Sequence, residues 1–325
     1  MRFSDIPTIF LSYAEDNADD NYQLLLQQNP NAQRVHGVKG FDSAHRAASV
    51  KAREIKNTPY FITVDGDNET FPEFWRLHTQ DIPFHKLGFP VKDGEMPNRF
   101  VLSWNAYNPM TGLYYGNGGL KLWTHSFIDQ MTTHEQTNGK IVDFCWDPTY
   151  VQLTRIYGYT RPYGSERQAF TAGFREGVKM PLVQGKPLDS AYEISQRAYP
   201  LNLQRLITWC SVGKHMEYGD ASVSGALFGL WSVHVEKSVP FEDVSDLDRI
   251  REYYEVWKAD FNRDEEDSQY PTDIEMRREI LAKTGIDIPM FGPKQSAYII
   301  QRTLPINNAA PFEKETWPTP LEAKF

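Results

Sequence analysis

The chain has 325 residues, 40% of them apolar and 14% aromatic, with 34 Lys and Arg against 43 Asp and Glu, a formal net charge of −9. So aromatic and mixed a composition excludes intrinsic disorder, and the length suffices for one large core or two smaller ones. No apolar run approaches the roughly 18–20 residues of a membrane span. The start lacks the apolar stretch of a secretion signal, and Cys145 and Cys210 are too few for a disulfide framework or a four-ligand zinc site. The expected location is therefore the cytoplasm, with no membrane partner. The charge is uneven: residues 242–279 carry fourteen acids against six bases, whereas 34–56 carry six bases against two acids. The negative average therefore argues only weakly against a nucleic-acid partner, provided that 242–279 faces away from it.

In chain order, residues 9–13 read as a strand, and the acidic, Asn-rich 15–21 starts a helix that Asn29-Pro30-Asn31 stops. Residues 34–36 form a second short strand, 42–56 a helix, and 60–64 a strand running into Asp65-Gly66-Asp67-Asn68. This alternation indicates βαβ units and a mainly parallel sheet, whose ligands sit at the carboxyl ends of strands. Further on, 100–104 and 141–145 are strand-like, 114–123 is a Gly-rich loop entering a regular element, and 165–179, 191–209 and 245–268 are helical. The segment after Gly285 is Pro-rich and expected to wrap the surface. One compact unit is expected, with a catalytic domain over 1–235 and an acidic helical extension and Pro-rich tail over 236–325.

Four constellations can carry chemistry. Asp65 and Asp67, two residues apart around a glycine, can hold one hard divalent cation, or simply cap a turn. Residues 36–46 combine two glycines, Lys39, Arg46 and a helix start, suited to phosphate or ribose, without the spacing of a P-loop or a dinucleotide fingerprint. Gly116-Asn117-Gly118-Gly119 brings backbone close to a ligand or makes a flexible hairpin. Asp143 and Asp147 are possible general bases, or turn caps before Pro148. His125, His134, His215 and His234 show no metal-ligand spacing.

The order of these pieces resembles the GT-A-fold glycosyltransferases: an α/β, Rossmann-like nucleotide-binding sheet flanked by helices. More narrowly, residues 10–13, 17–19, 34–40, 64–68, 116–121 and 173–179 are similar to the phage and base-J-type DNA glycosyltransferases, which sugar-modify hydroxymethylated pyrimidines. The likeness spans roughly residues 7–235. It implies that Asp65 and Asp67 bind Mn²⁺ or Mg²⁺ under the diphosphate of a nucleotide sugar, expected to be a UDP-sugar. It places Ser12, Tyr13 and Glu15 on the nucleoside, and Lys39, Gly40 and His45 near ribose or phosphates. Gly118 and Gly119 would face the sugar, Asp147 or Asp143 would serve as acid/base, and His215 would be a third metal ligand. Asp147 follows Trp146, so the family's acidic pair is absent there. Arg161, Arg167 and Arg175 would contact the phosphates of acceptor DNA carrying hydroxymethylated bases. A polysaccharide or small-molecule acceptor, a nucleotidyltransferase and a non-catalytic nucleotide- or carbohydrate-binding module are the alternatives.

Overall fold

The computed structural model describes residues 1–115, 119–131, 133, 144–261, 270–302 and 309–315. The chain opens with β1 (Thr8–Ser12), α1 (Ala18–Gln28), β2 (Gln33–His36), α2 (Phe41–Ile55) and β3 (Tyr60–Asp65). All five residues of β1 and the first five of β3 are buried, because helices and further chain cover both faces. β4 (Asn68–Thr70), β5 (Val101–Tyr107), β6 (Tyr114–Tyr115), β7 (Leu120–Thr124), α3 (His125–Gln130) and β8 (Tyr150–Thr160) follow.

Among the described residues eight strands make one sheet, in the order β2-β1-β3-β7-β5-β8-β4, with β6 bonded to β5. β1 pairs in parallel with β2 and β3, and β5 with β8, but β7 is antiparallel to both β3 and β5, and β4 to β8. The sheet is therefore mixed rather than mainly parallel. The fold is α/β, as expected. The expected strand at 141–145 lies partly outside the described residues, and Phe144–Trp146 forms a 3₁₀ turn.

The helical half comprises α4 (Glu166–Lys179), α5 (Pro200–Trp209), α6 (Gly219–Leu230), α7 (Leu247–Phe261), α8 (Asp273–Thr284) and α9 (Pro293–Arg302). Ser165 caps α4 by accepting from the Gln168 amide. The helix expected over 191–209 is broken: a short turn ends at Arg197, and Pro200, which lacks an N–H, starts a new helix. The sequence does not reveal α6, whose Gly219, Gly225 and Gly229 are poor helix formers. Their use is close packing. A Cβ on Gly173 or Gly177 of α4 would collide with the Ser222 or Ala226 carbonyl of α6, and one on Gly225 or Gly229 with Phe170 or Phe174 backbone. Glycine alone lets the two backbones meet.

One hydrophobic cluster, from Ala169 to Ile288, joins α4 and α6 to the acidic segment through Tyr254, Trp257, Met276 and Ile280. The sheet's clusters draw on residues 3–157 plus Phe312. The hydrophobic clusters thus change over near residue 160. The part after Gly285 is not merely a surface wrap. It forms α9, and residues 313–315 return to hydrogen-bond β8 at Gln152 and Thr154 while Phe312 packs into the core and Pro311 accepts from the Trp104 indole.

Candidate functional site

β3 delivers Asp65 to the carboxyl edge of the sheet, where its amide donates to the Gly119 carbonyl at 2.8 Å. Gly119, at the entrance to β7, packs so closely that a Cβ there would strike the Asp65 and Asn68 side chains. Asp67 follows in the turn into β4. Its Oδ1 accepts from Asn68 Nδ2 at 2.7 Å, and its carbonyl accepts from the Arg161 amide at 2.7 Å. Asn21 of α1 fixes the intervening peptide by donating to the Gly66 carbonyl at 2.9 Å. Glu15, in the loop after β1, accepts from the Tyr13 amide at 2.8 Å and lies against Gly66.

Three carboxylates are thereby gathered at one strand end. Burial, then the charges of Asp65 and Glu15, push the Asp67 carboxyl up to about 7. One cation answers them: Lys121 of β7, 2% exposed, holds Nζ 3.5 Å from Asp65 Oδ2. Such crowding favours a bound divalent ion, and Asp65 and Asp67 are of the right type to share one. Among the described residues no three His, Cys, Asp or Glu side chains converge on a single metal position. Asp65 and Asp67 would be this chain's ligands to such an ion.

The other expected donor contacts take varied places. Ser12 is buried at the end of β1, accepting from Arg34 Nε at 2.7 Å and sharing a 2.9 Å hydrogen bond with His36 Nδ1. Tyr13 is half-buried, its hydroxyl donating to Asp248 at 3.2 Å. Lys39 is ion-paired with Asp248 at 2.8 Å and Asp246 at 3.3 Å, and hydrogen bonds to those aspartates raise its pKa. Gly40 precedes α2 with φ of 93°, a conformation that favours glycine. His45 is 4% exposed, its ring packed on Phe41 and Trp123 and its Nδ1 2.9 Å from the Phe41 carbonyl oxygen. It belongs to the core beneath α2 rather than to the edge where a phosphate would lie.

Asp147 is not at this site. It precedes β8, which runs parallel to β5, and Tyr150 is level with Val101 and hence with Phe61 at the start of β3. Four residues of strand separate that level from Asp65, roughly 13 Å at about 3.3 Å per residue. There Asp147 is clamped by Arg99 through two bonds, of 2.8 and 2.6 Å, and accepts from the Thr149 amide and hydroxyl. Burial works to raise its pKa, but the hydrogen bonds from Arg99 and Thr149 and the guanidinium charge prevail, holding it at about 2. A carboxylate so held is a poor base and a good strut. Asp143 and Gly118 lie outside the described residues. His215 is exposed in the loop before α6, next to Lys214, which pairs with Asp220 and Asp273; it joins no metal group with Asp65 and Asp67.

A cavity of about 90 Å³ opens beside Asp67 where α4 and α7 meet the sheet, lined in part by Glu15, Asp67, Arg167, Arg175 and Arg251. The arginines expected to face DNA thus divide. Arg167 and Arg175 line this recess, while Arg161 pairs with Glu69 at 3.0 Å and stacks on Tyr159. The acidic segment also borders the site, through Leu247 and Arg251 in the cavity wall and Asp246 and Asp248 on Lys39. The expectation that 242–279 faces away is overturned. Lys121 and Arg251 are the residues that sequence reading missed. Lys121 had a signal, a charge set between apolar residues of a buried strand, whereas Arg251 was one base in an acidic run.

No protein-family profile matches the chain, and no curated protein matches it. Among solved structures, a glycosyltransferase involved in the glycosylation of the major capsid of PBCV-1 aligns over 46% of this chain and 82% of its own, at 13% identity and a TM-score of 0.28. At that score the likeness adds nothing to the site's own geometry. No described helix is long and apolar enough to cross a membrane.

Proposed function

We propose that the chain is a glycosyltransferase that takes its sugar from a nucleotide diphosphate sugar, with a UDP-sugar as the first donor to test. The observation that carries this reading is the placement of Asp65 and Asp67 at the carboxyl edge of the sheet, with Glu15 and Gly119 packed around them. Asp65 and Asp67 would hold Mn²⁺ or Mg²⁺, which when bound neutralises the diphosphate and eases its departure. The chain's own part is positional. Asn21, Asn68 and the Gly119 carbonyl fix the aspartates before a ligand arrives, and Tyr13 and the positive-φ Gly40 frame the nucleoside side of the edge.

Two of the three arginines offered for a duplex, Arg167 and Arg175, line the recess beside Asp67, and the third, Arg161, is paired with Glu69. With none of them left to track a duplex backbone, an uncharged hydroxyl on a glycan or small molecule is the acceptor we favour over the hydroxymethyl group of a DNA base. The test is transfer of radiolabelled sugar from a panel of UDP-sugars with Mn²⁺ to hydroxymethylated DNA, oligosaccharides and small alcohols. Transfer to an oligosaccharide or alcohol, lost on Asp65→Ala and Asp67→Ala, is expected. Transfer to DNA alone would overturn the acceptor assignment, and activity surviving both substitutions would overturn the site.

A further inference from the structure

We propose that Arg175, with Arg167 and Arg251, forms a phosphoryl-binding site on the helical half of the protein that receives the donor's diphosphate. This rests on the nucleotide-sugar reading above and adds a binding element to it that the Asp65–Asp67 motif does not supply.

Helix α4 has two faces. Gly173, Gly177, Phe170 and Phe174 are buried, the glycines against α6, while Arg167, Thr171 and Arg175, spaced by four, line the cavity beside Asp67. The close seam with α6 leaves α4 no side chain to yield, so its outer face is held rigidly against the cleft. From the other wall α7 contributes Arg251, one turn after Leu247. Three guanidiniums thus converge on one recess from two helices.

Their pairing differs. Arg167 is bonded to Asp16 at 2.9 Å, and Arg251 to Asp248 at 3.1 Å and the Ala14 carbonyl at 3.3 Å. The Arg175 side chain has neither a hydrogen bond nor an ion pair among the described residues. A guanidinium in the cavity wall that no carboxylate of the protein answers is the one free to take an anion. A guanidinium presents a planar fork that matches two oxygens of a phosphoryl group. The cavity is too small for a whole nucleotide sugar but suits a phosphoryl group. Asp67 in its lining puts that group next to the place where Asp65 and Asp67 would hold a cation. The diphosphate is then gripped from both sides, by the sheet edge through the ion and by α4 and α7 through arginine.

The test is calorimetric titration of the full chain at low salt, first with inorganic pyrophosphate in EDTA, then with UDP and Mn²⁺. Wild type should bind pyrophosphate. Arg175→Gln should weaken that binding at least tenfold, while Arg278→Gln, which removes the same charge from the exposed face of α8, should leave it unchanged. UDP should compete with pyrophosphate and lose affinity in Arg175→Gln. Equal pyrophosphate affinity in Arg175→Gln and wild type, or none in wild type, overturns the site. If pyrophosphate depends on Arg175 and UDP does not, the recess takes a phosphate from another source, such as the acceptor, and the donor assignment is overturned. If Arg175-dependent pyrophosphate binding persists while no UDP-sugar is ever transferred, it is the glycosyltransferase reading that fails, and this site stands.

Discussion

Replacing Asp147 with Asn separates a strut from a catalyst. A carboxyl with an ordinary pKa of 3.8, held at about 2 in the fold, draws about 2 kcal/mol from its partners at neutral pH, since a tenfold change in proton affinity is about 1.4 kcal/mol. The side chain is 23% exposed, and its partner Arg99 24%, so solvent screens the pair only in part. Asp147→Asn leaves Arg99 to Thr149 and the face of Phe127, and the expected loss at pH 7 is about 2 kcal/mol, a fall of a few degrees in Tm. The sign with pH follows from the depressed pKa. The contribution is whole above about pH 4 and disappears as pH falls toward 2, so wild type and variant should converge in acid. Urea denaturation at pH 7, 5 and 3.5 reads this directly, and transfer per folded molecule should be unchanged. A loss of more than a hundredfold in transfer, with unaltered stability, would refute the placement of Asp147 at the far edge of the sheet.

Three further outcomes follow from the packing and charge of the site. Gly119→Ala forces Asp65 and Asn68 aside and should lower UDP-sugar affinity at least tenfold in calorimetry, with little change in Tm; unchanged affinity would detach Gly119 from the donor site. Gly177→Ala pushes α4 off the Ala226 carbonyl and should cost about 1–3 kcal/mol in urea denaturation, whereas a neutral result would mean that the seam relaxes freely. Lys121→Met removes the ammonium that already answers Asp65, so Mn²⁺ should bind at least tenfold tighter in an EPR titration. Equal affinity would show that Lys121 does not compete for the same carboxylate.

What the sequence made legible follows its local periodicities. The first βαβ units and Asp65-Gly66-Asp67 at a strand end could be read because an apolar run, a capped helix and a turn signal each act over a few residues. The antiparallel return of β7 and β4 depends on which strand is adjacent in space, which no local pattern states. Helix α6 stayed hidden because the glycines that weaken it alone are those that let α4 approach. Asp147 misled for a related reason: its order along the chain matched a base, while the sheet's direction carried it to the opposite end. Arg167 and Arg175 could be picked out as cations of one helix, but their facing, into the recess rather than outward, was set by the Gly173–Gly177 seam on the other side of the helix.

The late return of the chain also bears on how the molecule is made. Phe3 packs on Phe312, and the β8 backbone at Gln152 and Thr154 is bonded by residues 313–315. During synthesis the sheet can form its parallel β2-β1-β3 flank as soon as β3 emerges, but it keeps an open edge and a gap in its aromatic core until some 150 further residues follow β8. Contacts this distant in sequence close slowly, and an unsealed strand is a template for pairing with another chain. Loss of residues 309–315 should therefore leave the donor edge intact yet release a protein that aggregates as it leaves the ribosome, a failure of biogenesis rather than of catalysis.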